Sequence, residues 1–403
     1  MRLNRILVLA PRLPYPVIGG DKLRIYNICK YLADAGNDIT LLSFVTDEKE
    51  ADVALNHEAG KIFSKISTVV LKKRNSYLNS FFGIFSGRPL QTHYYASPEM
   101  ALTIDRELNL RPYDAVLAHL IRMAPYVMNA RLPVSTRKVI EMTDAISLAY
   151  ARSRDHGGKS FLGTVYNLEE ERVANYERLC LERFDDAVVV SSVDRDHLLH
   201  HTRESLERRL RVIPNGVSVK ENVLTSSFDP DLMIFIGNMR THQNTDAVLY
   251  FIRAIYPLIK ARRPRAKFRI IGCEPRRSIR AFHGKDGIEV TGFVQDVWLN
   301  AKDACVAVCP IRVGAGVQNK LLESMAMGIP SVTTSVGLEG IDAVSGRHLL
   351  TADSPSDFSE QVLRLMENKD LRMGISLNGL DLIRRKYGWE TQLKPYKDIF
   401  ERI

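Results

Sequence analysis

A chain of 403 residues has room for two or three domains, and 45% apolar with 26% charged residues excludes a predominantly disordered chain. The formal charge of +9 is spread evenly, with 30 Lys/Arg against 26 Asp/Glu in residues 1–215 and 26 against 21 after them. Nucleic-acid binding requires a clustered basic face or a known module, and neither is present. The densest basic stretch, KARRPRAKFR (Lys260–Arg269), lies between an apolar helix and a strand and reads as a solvated connection.

The first apolar run, Ile6 to Ala10, follows Met1-Arg2 but ends at once in Pro11, Arg12 and Pro14, so it reads as a strand and not as a signal peptide. The loop PRLPYPVIGGDK leads to an amphipathic helix over Leu23–Ala35, stopped by Gly36. Strands are expected at Asp38–Val45, Lys65–Leu71, Asp114–His119, Arg137–Met142 and Asp186–Ser192. Near-continuous Val/Ile/Leu runs separated by helical stretches predict a parallel sheet covered on both faces.

RLRVIPNGVS (Arg209–Ser218) breaks this rhythm with turn residues, which places a domain boundary near 215–230. The alternation then restarts with the strand LMIFIGNM and a helix over Asp246–Ala261. The strands KFRIIG, IEVTGFV and ACVAVCP follow, then a helix, then PSVTT. Helices near Asp357–Asn368, Leu371–Lys386 and Glu390–Ile403 end the chain. The fold class is α/β, with two consecutive Rossmann-like βα domains. A cleft between two such domains is the default ligand site. Five cysteines (Cys29, Cys180, Cys273, Cys305, Cys309) show no zinc spacing and read as reduced thiols of a cytoplasmic protein. No window reaches about 18 consecutive apolar residues, so no membrane-spanning helix is expected.

The loops exclude the commonest ligand classes of such sheets. No G-x-G-x-x-G joins a strand to a helix, and no Walker A sequence, serine elbow or histidine cluster is present. Instead, strand ends carry glycines and basic residues: Gly19 and Gly20 with Lys22 and Arg24, Gly237 with Arg240, and Gly314 and Gly316 with Lys320. Helix N-termini favour anions and glycines let the backbone approach a ligand, which fits a ligand bearing phosphates. Lys320 and Glu323 lie three residues apart on an otherwise apolar helix. That spacing fits either a modest surface pair or a binding pair.

NKLLESMAMGIPSVTTSVGLEGI, preceded by GFVQDVWLNAKDACVAVCPIRVGAG, strongly resembles the donor-nucleotide motif of glycosyltransferase family 4, which has the GT-B fold. IPNGVS resembles that family's interdomain hinge, and VVVSSVDRDHL the strand and helix before it. PYPVIGGDKLR resembles the family's first glycine-rich loop as found in sugar transferases of exopolysaccharide clusters. The similarity extends over nearly the whole chain.

The resemblance implies retaining, metal-independent transfer of a sugar from a nucleotide diphosphate sugar, with no further cofactor. The acceptor would be a glycan or lipid-linked glycan, in bacterial exopolysaccharide or capsule synthesis. It implies an acceptor-binding domain over residues 1–215, a nucleotide-sugar domain over 216–386, and a C-terminal helix over 387–403 packing back on the first domain. Its hinge would close the domains on the donor. On the donor side it implies Gly19, Gly20, Lys22, Arg24, Asn238, Phe293, Val294, Gly314, Gly316 and Asn319, with Glu323 bonding the ribose. Lys320 and Arg240 would act on the diphosphate. His119 matches a histidine near the reacting sugar, although a lone histidine at a strand end is as often structural. Asp144, at the next strand end, serves either the acceptor side or a helix cap.

Three positions depart from the family pattern. Ala315 stands where a first glutamate is common, and Asn238 and Gln243 stand where an arginine and a lysine are common. The alternatives are a non-catalytic nucleotide-sugar-binding protein and a GT-B-shaped epimerase or phosphorylase. Finally, KKRNSYLNSFFGIFSGRPL (Lys72–Leu90) sets three basic residues before Phe81, Phe82 and Phe85. It fits either a segment touching the membrane surface near a lipid-linked acceptor or an ordinary helix with its phenylalanines in the core.

Overall fold

The computed structural model of the chain describes residues 4–17, 20–47, 49–50, 61–157, 161–200, 204–219, 228–313 and 317–401. These belong to two compact units, Met1–Pro214 with Leu393–Ile403, and Asn215–Gln392.

The first unit is built on a seven-stranded sheet. Its strands are β1 (Arg5–Ala10), β2 (Asp38–Val45), β3 (Lys65–Val70), β4 (Ala115–His119), β5 (Arg137–Thr143), β6 (Asp186–Val189) and β7 (Leu210–Val212). The order is β3-β2-β1-β4-β5-β6-β7, and every pairing is parallel. Ile6 to Ala10 and Ile39 to Val45 are buried without interruption, as strands covered on both faces must be. Helix α1 (Gly20–Asp34) buries Arg24, Ile25, Ile28, Cys29 and Leu32 along one stripe. Gly36, at φ +89, closes it: Gly36 N–H donates to the Ala33 carbonyl and Asn37 N–H to that of Leu32. Further helices are α2 (Lys73–Gly83), α3 (Ile146–Gly157) and α4 (Phe161–Arg183).

The second unit carries β8 (Asp229–Ile236), β9 (Lys267–Ile271), β10 (Ile288–Gly292), β11 (Ala304–Cys309), β12 (Ser331–Thr333) and β13 (Leu350–Thr351). Their order is β10-β9-β8-β11-β12-β13, again all parallel. Helix α5 (His242–Tyr250) follows β8 and helix α6 (Asn319–Ala326) follows β11. In both sheets the strand order reverses about the first strand, between β1 and β4 and between β8 and β11. Such switch points open a crevice at the carboxyl ends of the strands, where ligands bind in sheets of this kind.

The last helix, α7 (Trp389–Glu401), contributes its residues from Leu393 onward to the first unit. Tyr396, Ile399 and Phe400 are buried, and Asn4 donates to the Phe400 carbonyl oxygen at 2.8 Å.

Two segments differ from the sequence expectation. Leu210–Val212, read as a break, extends the first sheet as its last strand, because its backbone pairs with Ala187 to Val189. The helix expected from Asp246 begins four residues earlier, where the Thr241 hydroxyl caps the Asn244 N–H. A π turn over Phe251–Ile255 then precedes Pro257, which has no N–H to continue the α pattern. Among the described residues no helix is long and apolar enough to cross a membrane.

Candidate active site

In the second unit the switch point is flanked by the turn after β8 and the loop after β11. The backbones at the ends of β8 and β9 nearly touch: a Cβ on Gly272, at φ +152, would lie 1.7 Å from the Gly237 carbonyl oxygen. That contact requires glycine at 272, and a Cβ on Gly237 would lie 2.7 Å from the Asn244 side-chain nitrogen. After Gly237, the Asn238 side-chain oxygen accepts from Arg240 N–H at 3.0 Å, and the Asn238 carbonyl accepts from the Asn244 side chain at 2.8 Å. This folds the turn and leaves the Arg240 side chain 77% exposed, near Glu274 at 3.7 Å.

Across the switch point, Gln318 precedes α6 and is 4% exposed. Its side-chain oxygen accepts from Gln243 at 2.8 Å and from Lys320 Nζ at 2.7 Å, tying the elements after β8 and β11 together. Helix α6 buries Leu321, Leu322, Ser324, Met325 and Ala326, which leaves Asn319, Lys320 and Glu323 on its half-buried side. Lys320 and Glu323 do not form an ion pair. Burial lowers the lysine's pKa, and burial raises the Glu323 carboxyl to about 7, opposed by the lysine charge. Because the folded-state pKa is the higher one, this carboxyl lowers stability as pH rises from the ordinary carboxylate range to about 7. The buried Asn319 Oδ1 has no hydrogen-bond partner. A buried acceptor without a donor costs about 1–3 kcal/mol, so this side of the helix is poorly explained by folding alone. Phe293 and Val294 follow β10, with the phenylalanine ring exposed and the valine half-buried. Gly314 and Gly316 lie outside the described residues, as does Gly19 in the first unit.

In the first unit, Gly20 is the exposed first residue of α1. Lys22 lies mostly buried 3.9 Å from Glu50, and burial lowers its pKa. Arg24 is not available to a donor, which corrects the sequence expectation. It is fully buried and donates to both Glu141 carboxylate oxygens, Nε at 2.8 Å and Nη2 at 3.0 Å. Glu141 also accepts from the Tyr396 hydroxyl and from the Thr143 N–H at 3.1 Å. The reason is steric and electrostatic: Arg24 falls on the buried stripe of α1, and Glu141 in mid-strand needs a cation there.

His119 ends β4 in register with Glu141. It is buried, and neither ring nitrogen has a hydrogen-bond partner. Burial lowers its pKa to about 4, so the ring is neutral near pH 7. The residue after His119, Leu120, has φ +66, and Thr143, next to Asp144, has φ +68. Left-handed conformations at non-glycine residues cost about 1–3 kcal/mol and cluster at functional sites. Here both lie at carboxyl ends of neighbouring strands. The Asp144 carboxyl does not cap α3. Asp194 accepts from Ala145 N–H at 3.0 Å, and Glu177 accepts from Ile146 N–H at 2.6 Å. Burial, aided by the Asp194 charge, raises Asp144 to about 8, so it carries a proton at pH 7.

The sequence reading missed Glu141, Tyr396 and Gln318 as organising groups. The signal for the first was present: a glutamate inside the apolar strand RKVIEMT requires a buried cation.

Two parallel sheets, each with a strand-order switch point and the second followed by a helix carrying a lysine and a carboxyl, define an α/β protein of the GT-B class. Family models support it: "Glycosyltransferase Family 4" matches residues 18–221, and "Glycosyl transferases group 1" matches residues 230–368. The chain belongs to glycosyltransferase family 4, and it is a glycosyltransferase. It is 23% identical over 412 residues to an uncharacterized 44.6 kDa protein in the cps region of Klebsiella pneumoniae, covering 98% of this chain and 99% of that one. Among solved structures, a mutant of S. aureus TarM in complex with Fondaparinux, alpha-GlcNAc-glycerol and UDP superposes with a TM-score of 0.72. The identity is 11%, over 99% of this chain and 100% of the other. Anabaena HepE in complex with UDP-glucose superposes with a TM-score of 0.69 at 12% identity, over 99% and 100%.

Proposed function

We propose that the protein is a retaining, metal-independent hexosyltransferase. It would move a sugar from a nucleotide diphosphate sugar to a glycan or lipid-linked glycan acceptor in cell-surface polysaccharide synthesis. It would act in the cytoplasm, at the inner face of the membrane. The observation that carries the reading is the half-buried side of α6 at the second switch point, where Lys320, Glu323 and an unpartnered Asn319 oxygen come together. The solved structures' bound UDP, UDP-glucose and glycerol glycoside support a nucleotide-sugar donor and a sugar acceptor. The cps-region relative supports a polysaccharide context.

In this reading the bond between sugar C1 and the diphosphate oxygen breaks and negative charge grows on the leaving phosphate. Lys320 and the first N–H groups of α6 stabilise it, with Arg240 swinging in from its exposed position. Glu323 accepts from the ribose hydroxyls, and Phe293 offers a face to the base. The acceptor hydroxyl attacks from the face the diphosphate leaves and passes its proton to the leaving phosphate. His119, neutral and unpartnered, bonds the transferred sugar, and protonated Asp144 donates to the acceptor side.

The first test is a thermal-shift screen of GDP, UDP, ADP and CMP sugars: a donor at about 100 times its Kd stabilises by roughly 2.7 kcal/mol. With the donor so found, nucleotide release requires an acceptor sugar and survives EDTA. Release with no acceptor sugar points to an epimerase, and release that requires inorganic phosphate in its place points to a phosphorylase. Loss in EDTA with rescue by magnesium or manganese overturns the metal-independent mechanism.

A pH effect follows from Glu323. A ribose diol binds the carboxylate better than the neutral acid, and the carboxyl titrates at about 7. Donor affinity should therefore rise about tenfold from roughly pH 6 to roughly pH 8. A nucleotide diphosphate sugar carries no phosphate that titrates there, so the calorimetric profile reports groups of the protein, Asp144 at about 8 among them, and the Glu323 variant assigns the carboxyl's share. Glu323→Gln should flatten the profile, and a flat wild-type profile removes the ribose role.

A further inference from the structure

Helix α2 is built inside out. Its buried residues are the small ones, Ser76 and Gly83, and a Cβ on Gly83 would lie 2.6 Å from the His93 ring. Its large residues face solvent: Tyr77 is 65% exposed, Phe81 59%, Phe82 68%, and Phe85, just past the helix end, 85%. Leu78 and Ile84 are exposed beside them. At 100° per residue these side chains fall on one face. A core helix shows the opposite pattern, so the reading that puts these phenylalanines in the core is wrong for this segment.

The charges that the segment itself carries are all basic, with Glu99 and Glu169 the acidic groups packed beside it. Lys72, Lys73, Arg74 and Arg88 are exposed, and residues 59–98 contain no Asp or Glu. A second copy of the same face would meet it with like charges. An anionic lipid surface would meet it with opposite ones, while apolar side chains enter the headgroup boundary and the basic residues stay among the phosphates. The helix is also well placed. It begins three residues after β3, at the carboxyl end of the sheet, where His119 and Asp144 lie. The segment after it is anchored: Leu90 N–H donates to Glu169 at 2.9 Å, and Arg172 donates to the Ile84 carbonyl at 2.5 Å.

We infer that the outward face of α2, from Lys72 to Arg88, is a docking surface for anionic lipid headgroups, presenting the acceptor side of the first unit to a membrane. The inference rests on the proposed acceptor chemistry but is tested without it. Flotation of the full chain with phosphatidylcholine vesicles containing about 30% phosphatidylglycerol should show binding at low salt, reduced at high salt. Vesicles of phosphatidylcholine alone should bind at least about tenfold less. Phe81→Ser/Phe82→Ser/Phe85→Ser and Lys72→Glu/Lys73→Glu/Arg74→Glu should each lower binding by about tenfold or more. The altered side chains are exposed, so melting temperatures should stay near wild type. Phe85→Ser alone tests the face should the triple variant misfold. No flotation on anionic vesicles, or flotation unchanged in these variants, overturns the inference. So does a concentration-dependent dimer, abolished by the same variants, in analytical ultracentrifugation. Transfer to a water-soluble acceptor is measured in parallel. Its persistence in non-floating variants separates this surface from the catalytic reading, and its absence from a wild type that floats counts against the catalytic reading alone.

Discussion

Lys320→Ala should lower kcat by about 10²–10³-fold, the usual effect of removing one preorganised donor from a developing oxyanion. The structure gives the reason for a kcat effect. Nζ is held by one hydrogen bond, 2.7 Å to Gln318 Oε1, and that oxygen is fixed in turn by Gln243 at 2.8 Å. The remaining ammonium hydrogens have no acceptor among the described residues. Burial already disfavours the charge, as the lowered pKa records. A phosphate that gains charge during bond cleavage relieves this more than one that does not, so the interaction strengthens toward the transition state. Glu323→Ala should fail differently, by weakening donor and free-nucleotide binding with a smaller effect on kcat. Steady-state kinetics on both variants checks the split. Near-normal turnover in Lys320→Ala would move the phosphate role to Arg240 or Lys22. Arg24 cannot inherit it, since Glu141 occupies its guanidinium.

The second large effect is on stability. Arg24→Met should lower the stability of the first unit by about 3–5 kcal/mol, because it leaves the Glu141 carboxylate buried without its cation. The double variant Arg24→Met/Glu141→Leu should recover most of that loss, since the desolvated charge disappears with its partner. Tyr396→Phe should cost about 1–3 kcal/mol, the range for removing one partner of a buried hydrogen bond. Hydrogen exchange of the β1, β4 and β5 amides reads these changes in the first unit. A double-mutant cycle with no coupling between Arg24 and Glu141 would show that the pair is not what holds these strands together.

Much of the scaffold was legible in the sequence, because a parallel strand buried on both faces leaves a continuous apolar run. The runs at Ile6–Ala10, Asp38–Val45 and Ala304–Cys309 became strands within a residue or so of their expected limits. Leu210–Val212 was not legible. It is short, contains Arg211, and stops before Pro214, so only its pairing with β6 reveals it. Of the candidate site, the glycine-and-base pattern located the strand ends but not which cations face a ligand. Lys22 and Arg24 look alike in the string, yet Arg24 lies on the buried stripe of α1. The two possible roles of Asp144 were equal in sequence. The structure gives the cap to Asp194 and Glu177, whose distance along the chain hid them. The phenylalanines of α2 were ambiguous for a related reason: helical spacing shows that residues share a face, not which way that face points.

The return of Leu393–Ile403 to the first unit bears on biosynthesis. Residues through Pro214 leave the ribosome long before Tyr396 is made, and every residue of the second unit is made in between. During that interval the Arg24–Glu141 pair exists without its tyrosine, and the Asn4 amide without the Phe400 carbonyl. The unit encoded first is thus the one finished last, while the contiguous second unit has all its elements in hand earlier. Nascent-chain proteolysis should find the first unit fully protected only once Leu393–Phe400 has emerged from the ribosome, and a chain cut before Leu393 should leave its damage at the opposite end of the sequence.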